Sequence, residues 1–231
     1  MRVPPGYRFA ATLRQLGLSR YDPCARFEGG RFWWAVRTPD GPATLALHRD
    51  GDALVATGYG PGADLVLDRA DAVAGLRDDL TRFAALAAAH PLVARLARRY
   101  SGVRLPRTGF LFPRLLRAII EQKVTGTEAY RGYAATVRYF REPAPGPLTS
   151  LLLPPEPEAV AATPYWVFHR FGIEQRRAET LRRAAAEAAR LERCADSAEA
   201  TARMTAIRGI GPWTAAEVVR TVYGDPDAVS V

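Results

Sequence analysis

The sequence predicts an α+β fold in which a small antiparallel sheet precedes an all-α region, and three observations lead to this prediction. Residues 24–59 consist of short apolar or alternating runs separated by turn signals, which is the pattern of a β-meander. From Pro113 onward, apolar residues recur at the spacing of amphipathic helices. Residues 197–222 hold two helical patterns joined by the short turn Gly209-Ile210-Gly211.

The composition fits a globular chain in a reducing compartment. The 231 residues are 48% hydrophobic and 24% charged, which is enough apolar surface for a sizeable core. No apolar run is long enough to span a bilayer, and the opening Met1-Arg2-Val3-Pro4-Pro5 does not read as a signal peptide. Cys24 and Cys194 are too few and too far apart for a disulfide framework or a cysteine-built metal site. We therefore expect a cytoplasmic protein without a membrane anchor.

The positive charge of the chain is unevenly distributed. The formal net charge is +8 and the sequence pI is about 10.0, which favours a polyanionic partner. Residues 1–90 are nearly neutral, whereas 91–141 carry ten arginines and Lys123 against Glu121 and Glu128, a net charge of +9. This segment indicates contact with phosphates, although a solvated arginine-rich surface is the alternative. Lys123 is the only lysine in the chain.

The N-terminal region, 1–90, is expected to form an α+β domain that opens with a short helix at 7–17. Its turn signals are Gly29-Gly30, Pro39-Asp40-Gly41 and Asp50-Gly51-Asp52. Phe32–Val36 is the strongest strand, and because neighbouring residues on a strand point to opposite faces, one of Trp33 and Trp34 should face the core. Helices are then predicted at 68–89, with Val73, Leu76, Leu80, Phe83 and Leu86 on one stripe, and at 91–100.

The remaining chain, 91–231, is expected to form a helical domain. A helix is predicted at 113–123. After it, Thr125-Gly126-Thr127 interrupts the helical pattern, and Thr127 can cap the next helix. The proline-rich stretch 142–157 is predicted to be an exposed loop. Further helices are predicted at 164–171 and 174–193. The side chains expected to face the core are Tyr130, Tyr133, Ala134, Val137, Phe140, Tyr165, Trp166, Phe168, Ala178, Leu181, Ala185 and Leu191.

The glycine turn predicts a helix-hairpin-helix over 197–222. Asp196 and Ser197 are candidates for the cap of the first helix, and Pro212 occupies a first-turn position of the second. The two glycines permit positive φ and a close approach of another backbone. The hairpin therefore directs backbone N–H groups and the N-terminal end of a helix at an anion, such as a DNA phosphate. The alternative is an αα-corner whose glycine turn serves packing alone.

A resemblance to a known family rests on the run Ile207-Arg208-Gly209-Ile210-Gly211-Pro212-Trp213-Thr214-Ala215. This run is similar to the hairpin of the helix-hairpin-helix DNA glycosylases, and most similar to their alkylation-repair branch, the 3-methyladenine DNA glycosylase II type. The resemblance implies a monomer, associated with the nucleoid, that flips damaged bases out of double-stranded DNA and hydrolyses the N-glycosidic bond of alkylated purines. It implies no organic cofactor but a monovalent cation at the backbone of Gly209 and Gly211. The hairpin residues expected to bind DNA are Gly209, Ile210, Gly211, Pro212 and Thr214.

A second similarity lies in the turn after the first core helix, Glu121-Gln122-Lys123-Val124-Thr125. It resembles the Gln-x-Val-Ser/Thr signature with which the family fills the gap left by a flipped base. The resemblance implies DNA contact by Gln122, Lys123 and Thr125, with Gln122 at minor-groove edges. Lys123 departs from the bulky apolar wedge of many relatives. The alternative is a polar helix end, since lysine is favourable near a helix C-terminus.

Trp213 and Glu217 are the residues expected in the base pocket. In lyase-active relatives a lysine occupies the position of Trp213 and attacks the sugar, whereas the alkylation branch has tryptophan. An indole face attracts a cationic alkylpurine by about 0.5–2 kcal/mol. The alternative for Trp213 is a core anchor beneath the hairpin. Glu217, one helical turn further on, either contacts the flipped base or is a surface charge.

The family's catalytic aspartate is expected about two positions past Val231, so no catalytic residue is assigned within this chain. Asp225 and Asp227 come too early and are expected in a capping turn. We accordingly expect the chain as given to be catalytically inactive. Iron–sulfur cysteines, if the family pattern applies, would also follow Val231. The alternatives to a monofunctional glycosylase are a non-catalytic protein that binds damaged DNA and a bifunctional glycosylase/lyase, which Trp213 disfavours.

Overall fold

The computed structural model of the chain describes residues 1–230 and has the predicted α+β class. A four-stranded antiparallel sheet near the N-terminus is followed by a region built of helices. Among the described residues, no helix combines the length and the apolar character that a bilayer crossing requires.

The sheet is the meander that the turn signals predict. Its strands, in spatial and chain order, are β1 Ala25–Glu28, β2 Arg31–Thr38, β3 Gly41–Asp50 and β4 Ala53–Tyr59. The register pairs Ala25 with Trp34, and Trp34 with Leu45. One face of the sheet packs on the N-terminal helices and on Phe110, against which Trp34 lies.

Trp34 faces the core beneath the sheet, so one of the two tryptophans does so, as predicted, and Trp33 is buried as well because the other face of the sheet is also covered. Trp33 packs on the outer face with Leu151 and Leu153, which are fully buried. These leucines belong to the proline-rich stretch that was predicted to be an exposed loop. The stretch is irregular as predicted, but the backbone bridge between Pro143 and Leu152 and the packing of its leucines hold it against the sheet.

The first five helices are α1 Phe9–Leu13, α2 Ala63–Asp68, α3 Ala70–Val73, α4 Phe83–Ala88 and α5 Pro91–Arg99. The range 68–89, predicted as one helix, instead contains two short helices, α3 and α4, and the last residue of α2. Gly75, with φ +66°, ends the helical path after α3, and a Cβ there would lie 2.5 Å from Arg104 Cβ. The expected stripe is therefore broken, and Leu80, Phe83 and Leu86 are exposed.

The expected domain boundary at residue 90 falls between α4 and α5, which pack against each other. The hydrophobic cores meet further along the chain. Phe110 belongs to the cluster beneath the sheet, and Leu111 belongs to the cluster of the helical region. The backbone between α5 and this point runs along the N-terminal region, where Arg104 N–H donates to the Thr12 hydroxyl at 3.1 Å.

The helical region surrounds one buried central helix. Its helices are α6 Leu111–Ile120, α7 Gly126–Phe140, α8 Pro157–Ala162, α9 Tyr165–His169, α10 Gln175–Ala186, α11 Ala188–Leu191, α12 Ser197–Thr205 and α13 Pro212–Val222. Helix α6 contacts α7, α10, α11 and α13. Of the aromatic residues predicted to face the core on α9, Phe168 is fully buried, but Trp166 is 59% exposed because it lies on the outer side of this short helix.

The start of α7 differs from the prediction by two residues. Thr125, not Thr127, is the N-cap: its hydroxyl accepts from the Glu128 N–H, and the Glu128 carboxylate accepts from the Thr125 N–H at 2.9 Å. This is a capping box, which satisfies two backbone donors at once. The Thr-x-x-Glu spacing that produces it is visible in the sequence.

Candidate nucleic-acid interface

The predicted helix-hairpin-helix is formed by α12, the turn and α13. Asp196 caps α12 by accepting from the Glu199 N–H at 2.8 Å, and Pro212 is the first residue of α13. Gly209 has a φ of +103°, in the left-handed region that favours glycine, and it packs against Thr180 on α10. Gly211 is extended, with φ −109° and ψ 179°, and a Cβ there would meet no protein atom within 4 Å.

The turn presents backbone N–H groups that no described residue satisfies. The N–H groups of Gly209, Gly211, Trp213 and Thr214 have no acceptor among residues 1–230. They lie at the start of an eleven-residue helix, where the macrodipole adds positive potential. Such a cluster of donors binds an anion, and a phosphate fits it.

Ile210 differs from the other predicted hairpin residues. Its side chain is buried in the helical core, and its N–H donates to the Ile207 carbonyl at 3.0 Å. Ile210 therefore anchors the turn and has no backbone donor left for a phosphate. Sequence similarity alone did not separate this anchoring role from phosphate contact.

Gln122 joins the turn after α6 to the hairpin. Its side-chain amide donates to the Gly209 carbonyl at 3.0 Å and to the Thr214 hydroxyl at 2.8 Å. Gln122 was expected at minor-groove edges, but both of its side-chain N–H groups are used inside the protein. The side chain of Thr214 is buried, so only its N–H is left for a ligand. The Thr125 hydroxyl is likewise engaged, in the capping box. The expected DNA contacts of these three side chains stay predictions.

A cavity of about 440 Å³ opens beside the hairpin. We call it the Trp213 cavity, and its lining consists of Gln122, Lys123, Glu174, Arg176, Arg177, Gly209, Gly211, Trp213 and Thr214. Trp213 is half-buried, so one part of the indole is available to a ligand. Lys123 is exposed and has a φ of +55°, which is unusual for a residue with a side chain and turns the chain sharply after α6.

Three lining residues, Glu174, Arg176 and Arg177, were not predicted. Arg177 is buried and donates to the Ile120 carbonyl at 2.8 Å and to the Gly172 carbonyl at 3.2 Å, which fixes the end of α6. Its Nε atom has no hydrogen-bond partner and lies 3.7 Å from a Glu174 carboxylate oxygen. The only sequence signal for these residues was their position at the start of the helix predicted at 174–193.

Glu217 does not line this cavity and is not a surface charge. Its carboxylate accepts from the buried Arg114 guanidinium at 2.6 Å and from Arg220 at 2.9 Å. Burial acts to raise the pKa of Glu217, but a hydrogen bond from Ser230 and the charges of Arg114 and Arg220 outweigh it and lower the pKa below its ordinary value. Arg114 also bonds Glu121 at 3.0 Å, so this network holds α13 against α6.

The remaining expectations concern the cation and the catalytic group. The Gly209 carbonyl accepts from Gln122 with one of its two lone pairs, which leaves the other for a cation. The expected cation at Gly209 and Gly211 stays a prediction. Asp225 accepts from the Asp227 N–H at 3.0 Å, which places both in a turn, as expected. The catalytic aspartate expected past Val231 lies outside the described residues.

Comparison with solved structures identifies similar folds. A 3-methyladenine DNA glycosylase from Archaeoglobus fulgidus superimposes with a TM-score of 0.80 at 19% identity, covering 97% of this chain and 79% of that one. MBOgg1 in complex with a low-affinity DNA ligand gives 0.74 at 17% identity, covering 96% and 75%. The Clostridium acetobutylicum 8-oxoguanine glycosylase/lyase in complex with double-stranded DNA gives 0.71 at 14% identity, covering 97% and 76%.

These likenesses establish the fold. The chain has the fold of these DNA glycosylases, as the resemblance of its hairpin predicted. No protein-family model matches the sequence, and no curated protein sequence matches it.

Proposed function

We propose that this chain is a DNA glycosylase that removes alkylated purines from double-stranded DNA and leaves an abasic site. The observation that carries the proposal is the half-buried Trp213, which lies in a cavity directly beside a cluster of free backbone N–H groups. The solved structure of similar fold that is named a 3-methyladenine DNA glycosylase supports the same choice.

In this proposal the hairpin binds the DNA backbone and the Trp213 cavity binds the flipped base. The N–H groups of Gly209 and Gly211 hold a phosphate of the damaged strand, and Lys123 enters the space that the flipped nucleotide leaves. A volume of about 440 Å³ lies within the range of small-molecule sites. The flipped base then occupies the Trp213 cavity, where the indole face attracts its positive charge.

The chemistry demands little acid assistance. An alkylated purine carries a positive charge, and when the bond between its nitrogen and the sugar C1′ breaks, the bonding electrons leave with the base and neutralise it. Water adds to C1′ and releases a proton, which completes the hydrolysis. A carboxylate is needed to stabilise the developing positive charge on the sugar and to orient the water. We propose that an aspartate beyond the described residues supplies it.

The proposal includes the partners implied by the resemblance. The protein acts as a monomer on damaged duplex DNA, and a monovalent cation bound by the Gly209 and Gly211 carbonyls supports the hairpin. The exposed cation of Lys123 and the two free glycine N–H groups are the features that favour a polyanion at this surface.

Replacing Trp213 by leucine should selectively slow the release of cationic bases. Losing a cation–π attraction of about 0.5–2 kcal/mol predicts roughly a twofold to thirtyfold decrease for 7-methylguanine and 3-methyladenine. Release of hypoxanthine, which is neutral, should fall much less. The measurement is single-turnover base release by the protein expressed from its natural gene, with Trp213→Phe as the control that keeps an aromatic face.

Two outcomes would contradict the assignment. An equal loss for charged and neutral bases would make Trp213 a packing residue. A wild-type protein that binds methylated duplex DNA but releases no base would support the non-catalytic binding protein instead.

The protein should form no covalent intermediate with an abasic site. A lyase of this fold needs an amine that loses its proton and forms an imine with the sugar, and arginine cannot do so. The α-amine of Met1 is held on the sheet by the Leu54 carbonyl at 2.8 Å, and Trp213 occupies the hairpin position. Borohydride trapping on abasic DNA measures this directly. An adduct that the wild type forms and Lys123→Ala does not form would make Lys123 a nucleophile.

A further inference from the structure

A second groove lies on the other side of the hairpin from the Trp213 cavity. It has a volume of about 530 Å³ and runs between α10–α11 and α12. We call it the arginine groove. The more buried lining residues, Leu191 and Ile207, form an apolar floor. The exposed lining residues are Ala186, Ala206, Arg183, Arg190, Arg203 and Arg208, and Glu187 is half-buried.

Helix α10 shows how the two sites are arranged. Arg176 and Arg177, at its start, line the Trp213 cavity, and Arg183, near its end, lines the arginine groove. Thr180, between them, is the residue on which Gly209 packs. The hairpin thus rests on the middle of α10, with the cavity on one side and the groove on the other.

The charges of the groove are available to a ligand. Arg183 and Arg208 have no carboxylate partner among residues 1–230. Arg190 pairs with Glu187 at 3.2 Å, but the two side chains are 68% and 41% exposed, so the pair contributes little and rearranges easily. Arg203 pairs with Glu199 in the same exposed manner. The groove therefore offers four guanidinium groups against one lining carboxylate.

The groove is continuous with the hairpin. Ile207 and Arg208 immediately precede Gly209, and the Arg183 guanidinium donates to the Arg208 carbonyl at 3.4 Å. A strand whose phosphate is bound by the hairpin N–H groups therefore meets the groove at its next phosphates. Arg183 on α10 and Arg190 on α11 are seven residues apart across the break at Glu187. At helical rise this separation is about 10 Å, or about three base pairs of duplex.

We propose that the arginine groove binds the DNA backbone for about three base pairs beyond the phosphate held by the hairpin. The guanidinium groups bind phosphates, and the apolar floor faces the deoxyribose rings. The inference rests on the proposed function for its choice of DNA as partner. It adds that the footprint is asymmetric, since the other side of the hairpin is occupied by the Trp213 cavity.

The test is fluorescence anisotropy on duplexes with a central tetrahydrofuran abasic analogue, whose flanks are shortened from one end at a time. The variant Arg190→Ala/Arg203→Ala should bind the long duplex about fivefold more weakly per arginine, and the slope of log affinity against log salt should decrease by about one per contact. Glu187→Gln should tighten binding, because Glu187 is the one carboxylate among the described residues that line the groove. Arg193→Ala removes one charge at an exposed site outside the groove and should weaken binding much less than the fivefold expected for each groove arginine.

Shortening the duplex provides the second readout. Removing about three base pairs on one side, and on that side only, should weaken the wild type and leave the double variant nearly unchanged. The inference is overturned if the double variant matches Arg193→Ala, or if shortening weakens both proteins alike. If the double variant loses binding of a poly-glutamate peptide but binds DNA like the wild type, the groove would be assigned to an acidic protein partner instead.

Base release from methylated DNA by the same proteins separates the two proposals. Groove-dependent binding without base release would contradict the proposed glycosylase and leave the groove assignment standing. Base release with groove variants indistinguishable from Arg193→Ala would contradict the groove alone.

Discussion

Gly209→Ala and Gly211→Ala should both abolish tight DNA binding, but only Gly209→Ala should destabilise the protein. At Gly209 a methyl group would collide with the Thr180 hydroxyl while the backbone has a φ of +103°. Strain and overpacking of this kind cost about 1–3 kcal/mol each in the free energy of unfolding. Gly211 is extended and open, so alanine fits and leaves the free energy of unfolding unchanged or slightly higher.

The binding loss in Gly211→Ala has a different cause. A methyl group there stands where a phosphate must approach the backbone N–H groups, and losing a charge-assisted hydrogen bond of about 1.5–3 kcal/mol weakens binding at least tenfold. Urea unfolding and anisotropy on an undamaged duplex measure the two effects separately. A Gly211→Ala protein that folds normally and binds DNA like the wild type would show that the hairpin is only a packing corner.

Arg114→Met should cause a large loss in the free energy of unfolding. Arg114 is buried and bonds Glu121 and Glu217 at 3.0 and 2.6 Å. Burial lowers the pKa of this guanidinium from its ordinary value, and the two carboxylates act in the opposite direction. Removing one partner of a buried ion pair costs about 3–5 kcal/mol. Because Arg220 still bonds Glu217 and Arg117 still bonds Glu121, we expect a loss at the lower end of this range. Urea unfolding at neutral pH measures the difference in the free energy of unfolding between the wild type and Arg114→Met.

A matched control is Arg203→Met, which breaks an exposed pair with Glu199 and should cost about 0.2–1 kcal/mol. The pH dependence adds a second check. The folded-state pKa of Glu217 lies below its ordinary value of 4.5, so its contribution to stability is complete above that pH and is lost as the pH falls further. The difference between wild type and Arg114→Met should therefore narrow below about pH 4.5. A constant difference would exclude the ion pair as its source.

The parts of the fold that were predictable are those that local signals determine. The meander follows from glycine and aspartate turns between alternating runs, and the hairpin follows from Asp196, Pro212 and the glycines between two helical patterns. The helix predicted at 68–89 was wrong because an apolar stripe does not reveal that Gly75 must adopt a positive φ against Arg104. The burial of Trp33 was missed because its cover comes from leucines more than a hundred residues away.

The candidate site was only partly predictable for the same reason. Trp213 and the glycines lie within one motif, so their proximity is fixed by the hairpin itself. Gln122, by contrast, bonds partners 87 and 92 residues further along the chain, and Arg114 reaches Glu217 across 103 residues. No pattern in a single sequence reports hydrogen bonds at such separations. Glu174 and Arg177 reach the cavity because α10 packs on α6, which depends on the whole helical core.

The two hydrogen bonds of Gln122 connect the hairpin to the turn that carries Lys123, so that the two segments form one rigid unit. A displacement that separates the two segments would lengthen both bonds. On the proposed function, a protein scanning a duplex would therefore grip a phosphate and press on the adjoining base stack in the same encounter. At each position on the DNA, the contact would then test how easily the local base pair unstacks. A weakly stacked damaged base would leave the stack, whereas an intact pair would stay in place.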